Sequence, residues 1–233
     1  MVDTKQKSNV KEKKKVLIVD DHPVVREGLT CLINEEADLV VCGTSEDMPE
    51  AIKAIQNLEP DIATVDISLK DTSGLELIKL ITAQFPHLPV LALSVHPERY
   101  YAERAIRAGA KGYITKREAT GDIITAIREV LGGGMHLSQR MTERLLRNLV
   151  AQDKSDIETS PIDRLTDREL EVFTLLGQGQ GTRQIAECMH VSVKTVETYR
   201  LRITEKLDLD NASELLRSAF QWACDQEKAR ASL

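Results

Sequence analysis

The sequence has few cysteines and few aromatic residues, and neither set suggests a binding site. The four cysteines are Cys31, Cys42, Cys188 and Cys224, and no two of them form a CxxC pair. This spacing argues against a zinc cluster or a redox motif, so we expect reduced, structural thiols. Aromatic residues make up 3% of the chain, with one tryptophan, Trp222. A stacking surface for single-stranded nucleic acid needs more of them.

The chain also lacks an excess of positive charge and any long apolar run. Lys and Arg total 31 against 37 Asp and Glu, a net charge of −6, which argues against a protein that coats nucleic acid by bulk charge. No segment approaches the ~18 uninterrupted apolar residues of a membrane helix. The N-terminal segment MVDTKQKSNVKEKKK has no apolar block like that of a signal peptide. We therefore expect a cytoplasmic protein that makes no membrane contact.

The first half of the chain alternates short apolar runs with segments of helical spacing. Five runs without in/out alternation predict buried parallel strands: Lys15–Asp20, Leu39–Gly43, Ile62–Asp66, Val90–Ser94 and Gly112–Thr115. A segment whose apolar residues repeat at helical spacing follows each run. The pattern predicts a doubly wound α/β domain with a five-stranded parallel sheet.

The second half reads as purely helical. Thr166 and Glu169 form a capping box, flanked by a possible hydrophobic staple of Leu165 on Leu170. Four helices are predicted after residue 163, the second and third joined by a tight turn. We predict the following division: 1–14 a disordered tail, 15–135 the α/β domain, 136–162 a helical linker and 163–228 a four-helix domain.

Three aspartates follow two of the predicted strands. Asp20 and Asp21 lie at the end of the first strand, and Asp66 closes the third. Ligands bind at the carboxyl ends of strands in open parallel sheets, so these carboxylates would lie together if the two strands are neighbours. Clustered carboxylates repel one another unless a cation lies among them, and oxygen ligands favour Mg²⁺ over zinc. A lone strand-end aspartate is more often a cap, and the inference depends on the set of three.

Two further polar residues follow the fourth and fifth strands. Ser94 ends the fourth strand and Lys116 follows the fifth, so a hydroxyl and an ammonium would face the same edge. Taken singly, each is an ordinary strand-end or surface residue. As a set they suit phosphoryl transfer to a carboxylate, with Asp66 as the nucleophile and Lys116 pairing a phosphoryl oxygen.

The α/β domain resembles the receiver domain of two-component response regulators. The matching motifs are IVDDHPVVREGL, TVDISLKDTSGLEL, LALS and AGAKGYITK. The resemblance implies that Asp66 is the phosphoacceptor and that Asp21, Asp66 and the backbone carbonyl of Ser68 bind Mg²⁺, with Asp20 as a supporting acid. It also implies that Ser94 and Tyr113 are the switch residues and that Lys116 pairs with the phosphoryl group.

The third helix of the helical domain has two distinct faces. Val196, Ile203 and Leu207, with Tyr199 beside them, form an apolar stripe that must dock on the domain core. Another face carries Lys194, Glu197, Thr198 and Leu201 at helical spacing. An exposed leucine on a polar face suits contact with thymine methyl groups in a major groove, although a solvated face with one stray leucine is the plain alternative.

This domain resembles the LuxR-type helix-turn-helix, and together with the receiver it places the chain in the NarL/FixJ family of response regulators. The resemblance implies binding to duplex DNA, for which we expect the following contact residues: Thr182, Lys194, Thr195, Glu197, Thr198, Arg200, Leu201 and Arg202. Tyr199 and Asp208 depart from the commoner histidine and glycine of this family, and Asp208 affects the turn after the recognition helix.

The expected function is that of a transcription factor, not an enzyme, whose Asp66 is phosphorylated by a sensor histidine kinase. We expect a homodimer when it is phosphorylated or on DNA. The closest alternative is a DNA-binding receiver protein that works without phosphorylation. A hydrolase that turns over an aspartyl-phosphate would need an acid where Ser68 stands. A protein-binding helical domain would differ from a DNA-binding one in the salt dependence of its affinity for duplex DNA.

Overall fold

The computed structural model describes residues 12–69, 73–95, 98–151 and 161–231. The described chain divides into two compact units, with the boundary between Thr142 and Glu143. The first unit holds five strands and five complete helices, which confirms the predicted α/β fold, and the second is helical. None of the helices within these described ranges combines the length and the apolar character needed to cross a membrane.

The elements of the first unit follow one another as alternating strands and helices. In chain order they are β1 (Lys14–Val19), α1 (Pro23–Asn34), β2 (Leu39–Ser45), α2 (Met48–Leu58), β3 (Ile62–Asp66), α3 (Gly74–Gln84), β4 (Val90–Ser94), α4 (Glu98–Ala108), β5 (Gly112–Thr115) and α5 (Lys116–Leu131). The sheet is parallel throughout in the order β2-β1-β3-β4-β5. Helices α1 and α5 contact each other and pack on one face, while α2, α3 and α4 form a row on the other.

The strands are buried because side chains on both of their faces enter a core. On the α1 and α5 side this core includes Val16, Ile18, Ile33, Leu91 and Ile127, all of them nearly inaccessible to solvent. Burial on both faces explains why the strands lack the alternation typical of a half-exposed sheet. Strands β1 and β3 are direct neighbours in the sheet, and Val19 of β1 lies opposite Val65 of β3.

The remaining elements begin with α6 (Gln139–Ala151), which crosses the boundary between the units. A short 3₁₀ helix (Pro161–Arg164) precedes α7 (Asp167–Gly177), α8 (Thr182–Cys188), α9 (Val193–Lys206) and α10 (Ala212–Ala231). The capping box at the start of α7 is formed as predicted, with Thr166 and Glu169 bonding reciprocally. Helix α7 packs on α9 and α10, and the rings of Phe173 and Trp222 meet edge to face at 5.5 Å.

The predicted limits of the tail and of the linker can be compared with the structure. The predicted disordered tail is wrong at Lys14, which belongs to β1 because its backbone nitrogen donates to Asp38 and its side chain pairs with Asp61 at 2.6 Å. Residues 1–11 of that tail lie outside the described residues. The predicted linker, 136–162, contains the whole of α6, and residues 152–160 lie outside the described part.

Candidate functional site

The three aspartates lie together at the carboxyl edge of the sheet. Asp20 follows β1 and Asp66 ends the neighbouring β3, and both are essentially inaccessible to solvent. One carboxylate oxygen each from Asp20, Asp21 and Asp66, together with a ring nitrogen of His22, lie within 4.8 Å of one another. The direct pairing of β1 with β3 therefore produces the cluster that the strand ends predict.

Among the residues that the structure describes, Lys116 brings an ammonium group to these carboxylates. Its Nζ lies 2.7 Å from Asp20 Oδ2 and 2.7 Å from Asp66 Oδ2. Its burial lowers its pKa, but Asp66 and Asp20 raise it more, so the net pKa is raised and the ammonium stays charged. Burial raises the pKa of Asp66, and Asp20 adds to this, although Lys116 opposes both. Within the described part of the chain, this one ammonium faces three carboxylates, so negative charge is in excess there.

The second oxygen of Asp66 is held by the loop that follows β3. The backbone N–H of Ser68 donates to Asp66 Oδ1 at 3.1 Å. The backbone at Gly74 lies so close to Asp66 that a Cβ on Gly74 would lie 1.9 Å from the backbone oxygen of Asp66. Glycine is therefore required at the first residue of α3, where the backbone approaches the predicted phosphoacceptor.

His22 is a member of the cluster that sequence reasoning missed. Its Nδ1 lies 2.7 Å from Asp21 Oδ1 and 3.2 Å from Asp20 Oδ1. The signal was its position next to Asp21 in the motif VDDHP. The carboxylates of this motif predict oxygen ligands only, whereas the fold also brings a ring nitrogen of His22 to the cluster.

The residues present fit a divalent cation. Asp21 Oδ1 is buried and accepts no well-aligned hydrogen bond from the described residues, and the His22 nitrogen is its near neighbour. A buried, unbonded carboxylate oxygen is costly unless a cation compensates it. Carboxylate and carbonyl oxygens are the ligands that Mg²⁺ prefers, so the donor set agrees with the predicted cofactor.

Ser94 and Tyr113 lie on the neighbouring strands β4 and β5. Both side chains are buried, and a hydrogen bond joins the Tyr113 phenol to Ser94. Burial raises the pKa of Tyr113 more than this bond lowers it, so the phenol stays protonated at neutral pH. The structure thus brings together the two residues expected to act as the switch.

The segment after α5 forms a short extension of the sheet beside Tyr113. Tyr113 N donates to the His136 oxygen at 2.9 Å, and His136 N donates to the Lys111 oxygen at 3.1 Å. Two residues later Ser138 hydrogen-bonds through its backbone and its hydroxyl to Glu98, the first residue of α4. The chain leading to the second unit is therefore bonded to both β5 and α4.

In the second unit, α8 and α9 form a helix-turn-helix. Ser192 caps α9 by accepting from Thr195 N at 3.1 Å, and Val196 and Ile203 are fully buried as the apolar stripe predicts. Leu201, by contrast, is 61% exposed. The other exposed residues among the predicted DNA contacts are Lys194, Glu197, Thr198 and Arg202.

Three of the predicted DNA contacts also hold the helix-turn-helix together. Arg200 donates to the hydroxyl of Thr182 and so joins α9 to the start of α8. The Thr195 hydroxyl lies 2.8 Å from Ser192 Oγ in the cap of α9. All three side chains are half-buried. Their hydrogen bonds join α8 to α9 and close the cap of α9.

Both parts of the chain match described protein families. Residues 16–128 match the response regulator receiver domain, and residues 163–219 match the bacterial regulatory proteins of the luxR family. The oxygen regulatory protein NreC of Staphylococcus carnosus (strain TM300) is 35% identical over 210 residues, which are 89% of this chain and 97% of that protein.

Solved structures of response regulators extend over both units. One of RcsB from Salmonella typhimurium is 25% identical with a TM-score of 0.60, covering 90% of this chain and 98% of that one. RcsB of Salmonella enterica serovar Typhimurium, bound to promoter rprA in the presence of phosphomimetic BeF3-, is 25% identical with a TM-score of 0.56, covering 88% and 98%. Together with the family matches, these findings show that the chain belongs to the NarL/FixJ-type response regulators and is a DNA-binding transcriptional regulator.

Proposed function

We propose that phosphorylation of Asp66 by a sensor histidine kinase switches DNA binding by this protein. The observation that carries the proposal is the setting of the Asp66 carboxylate, buried between Lys116 on one oxygen and the Ser68 N–H on the other. In the reaction a carboxylate oxygen attacks the phosphorus of a phosphohistidine, the P–N bond breaks, and the electron pair leaves with the kinase imidazole.

Lys116 has a separate part in this step. Its ammonium would exchange the Asp66 oxygen for a phosphoryl oxygen, because in the acyl phosphate the carboxylate is no longer charged and the negative charge lies on the phosphoryl oxygens. Asp21, Asp66 and the Ser68 carbonyl would hold Mg²⁺, with Asp20 as a supporting acid. The ion would supply positive charge against the transferring phosphoryl group.

The switch would operate through Ser94 and Tyr113. The Ser94 hydroxyl can donate to a phosphoryl oxygen on Asp66, which changes its hydrogen bond with Tyr113. Because Tyr113 N is bonded to His136, and Glu98 of α4 to Ser138, a displacement of Tyr113 or α4 would reach the chain that leads to the helical unit. This gives the receiver a route for shifting the population of DNA-competent molecules.

For the helical unit we propose major-groove binding by α9. Lys194, Glu197, Thr198, Leu201 and Arg202 would face the DNA, because these described side chains are exposed on one helix. Thr182 at the start of α8, Thr195 in the first turn of α9 and Arg200 further along α9 would contact it from beside this face. Since α9 carries only a small surplus of positive charge, we expect a homodimer on paired half-sites.

The domain limits are proposed as predicted from the sequence, except that Lys14 belongs to β1 of the receiver and not to the N-terminal tail. The receiver, predicted at 15–135, precedes a helical linker at 136–162 and a DNA-binding domain at 163–228. We also propose a cytoplasmic location, where a kinase and DNA are both accessible, and no enzymatic turnover beyond the chemistry of Asp66.

Phosphorylation is tested by intact-mass spectrometry after incubation with acetyl phosphate and Mg²⁺. We expect a single phosphoryl adduct on the wild type and on Asp122→Asn, a control that removes an exposed aspartate of the same domain. The Asp66→Asn variant should take up no phosphoryl group, and EDTA should prevent the adduct. An adduct on Asp66→Asn would exclude this phosphoacceptor, and no adduct on the wild type would favour a receiver that works without phosphorylation.

The DNA-binding face is tested with the double variant Thr198→Ala, Leu201→Ala. Both side chains are exposed, so the variant should fold and be phosphorylated normally while specific affinity falls by about tenfold or more. The probe is a duplex selected from a random-sequence pool by the wild type, and Ser213→Ala on α10 is the control. Full affinity in the double variant would contradict the assignment of this face.

A further inference from the structure

The His22 imidazole contacts the carboxylate cluster and does not cap the start of α1. It is the N-cap residue of α1, yet its side chain makes no capping hydrogen bond. Instead Nδ1 lies 2.7 Å from Asp21 Oδ1 and 3.2 Å from Asp20 Oδ1, while the backbone N–H of His22 donates to Asp20 Oδ1 at 2.9 Å. Backbone and side chain therefore both orient the ring nitrogen toward the proposed cation site.

The spacing of these atoms is that of neighbouring ligands on one ion. Two adjacent ligands of an octahedral ion, each at ~2.1 Å, lie ~3.0 Å apart, and opposite ligands lie ~4.2 Å apart. The two nitrogen-to-oxygen distances fall on either side of 3.0 Å, and all four candidate atoms lie within 4.8 Å. Shifts of a few tenths of an ångström per side chain would therefore allow the nitrogen and the oxygens to bind the same ion.

We infer that His22 is a selectivity residue of this cation site, supplying a nitrogen ligand to divalent transition-metal ions and none to Mg²⁺. The inference rests on the cation site of the proposed function. Imidazole nitrogen suits ions such as Co²⁺, Ni²⁺ and Zn²⁺, whereas Mg²⁺ selects oxygen and retains water. Coordination through Nδ1 requires the ring proton on Nε2, which is compatible with a side chain that is 55% exposed.

The two classes of ion would thus occupy the pocket differently. Mg²⁺ would use the oxygens of Asp21, Asp66 and Ser68 and leave the imidazole hydrogen-bonded to Asp20 Oδ1. A transition-metal ion would bind Nδ1 in addition, so its affinity depends on His22 while that of Mg²⁺ does not. His22 thereby sets how strongly such ions compete with Mg²⁺ for the receiver.

The test is calorimetric titration of the full chain with Mg²⁺ and, separately, with Co²⁺. His22→Asn retains a polar amide near the position of Nδ1 but removes the nitrogen ligand. His87→Asn is the matched control, because His87 is exposed and precedes β4 at the opposite edge of the sheet. We expect His22→Asn to weaken Co²⁺ binding by about tenfold or more and to change Mg²⁺ binding by less than about threefold. The visible absorption spectrum of the Co²⁺ complex should change in His22→Asn only.

Two results would overturn the inference while leaving the proposed function intact. Equal loss of Mg²⁺ and Co²⁺ affinity in His22→Asn would mean that the imidazole only orients Asp21. Unchanged Co²⁺ affinity and an unchanged spectrum would mean that it is not a ligand. Failure of the wild type to bind Mg²⁺, or undiminished Mg²⁺ binding by Asp21→Asn, would instead overturn the proposed cation site itself.

Discussion

A buried ion pair at the start of α7 makes a pH-dependent contribution to the stability of the helical unit. Glu169 is 2% exposed, and its Oε2 accepts from Thr166 N at 2.7 Å and from Lys206 Nζ at 2.6 Å. The pair joins α7 to the last turn of α9. Replacing Glu169 with Gln keeps the shape and the capping bond, because glutamine also serves in a capping box, but removes the charge.

The magnitude follows from the geometry. At 2.6 Å and an effective dielectric constant of about 20, the attraction between Glu169 and Lys206 is ~6 kcal/mol before desolvation. Removing the carboxylate from water costs several kcal/mol, and Lys206 is still 35% exposed, so solvent screens part of the attraction. We expect Glu169→Gln to lower the free energy of unfolding by about 1–2 kcal/mol at pH 7.

The pH dependence has a definite sign. Burial raises the pKa of Glu169, but the hydrogen bonds from Lys206 and Thr166 outweigh it, so the pKa in the folded state is lowered. Its contribution is therefore complete above the unfolded value of ~4.3 and is lost as the pH falls through the lower folded value. The stability difference between the wild type and Glu169→Gln should therefore narrow as the pH falls below about 4.

Trp222 provides the assay, because it is the one tryptophan of the chain and packs on Phe173 in the helical unit. Urea denaturation followed by its fluorescence reports the unfolding of this unit. Glu187→Gln, at an exposed position on α8, is the control for loss of one charge. The reasoning is refuted if Glu169→Gln is as stable as this control at pH 7, or if the difference persists unchanged at pH 3.5.

Two further predictions concern glycine and the backbone. Gly74→Ala should lower the stability of the receiver unit by about 1–3 kcal/mol by circular dichroism, because its Cβ would lie 1.9 Å from the Asp66 oxygen. Gly28→Ala, in α1 with nothing within 4 Å, should instead raise it by about 0.5–1 kcal/mol. Asp208 has a φ of 55°, so Asp208→Gly should stabilise the helical unit by about 0.5 kcal/mol. Asp210→Gly should not, since Asp210 is not among the residues with positive φ.

The sequence predicted the receiver strands well, because strands buried on both faces are continuous apolar runs. The limits of β3, β4 and β5 agree with the prediction. Strand β2 runs two residues further, to Ser45, because Thr44 and Ser45 pair with Ile18 and Val19 of β1. Polar residues that are held in a strand by backbone pairing leave no hydrophobic pattern, so the sequence does not reveal them.

The strand ends and the family motifs were enough to predict one part of the site. The meeting of Asp20, Asp66 and Lys116 follows from the parallel order of β1, β3 and β5. The approach of His22 to Asp21, and the pairing of His136 with β5, depend on side-chain rotamers and on backbone bonds between segments that are distant in sequence. Neither leaves a repeating pattern in the sequence.

The central claim is that phosphorylation of Asp66 changes DNA binding, and one measurement tests it directly. Fluorescence anisotropy gives the affinity for a duplex selected from a random-sequence pool, with and without acetyl phosphate, for the wild type and Asp66→Asn. We predict that acetyl phosphate raises the affinity of the wild type by about fivefold or more and leaves Asp66→Asn unchanged. Equal affinities of the phosphorylated and unphosphorylated wild type, or an equal response in Asp66→Asn, would contradict the account.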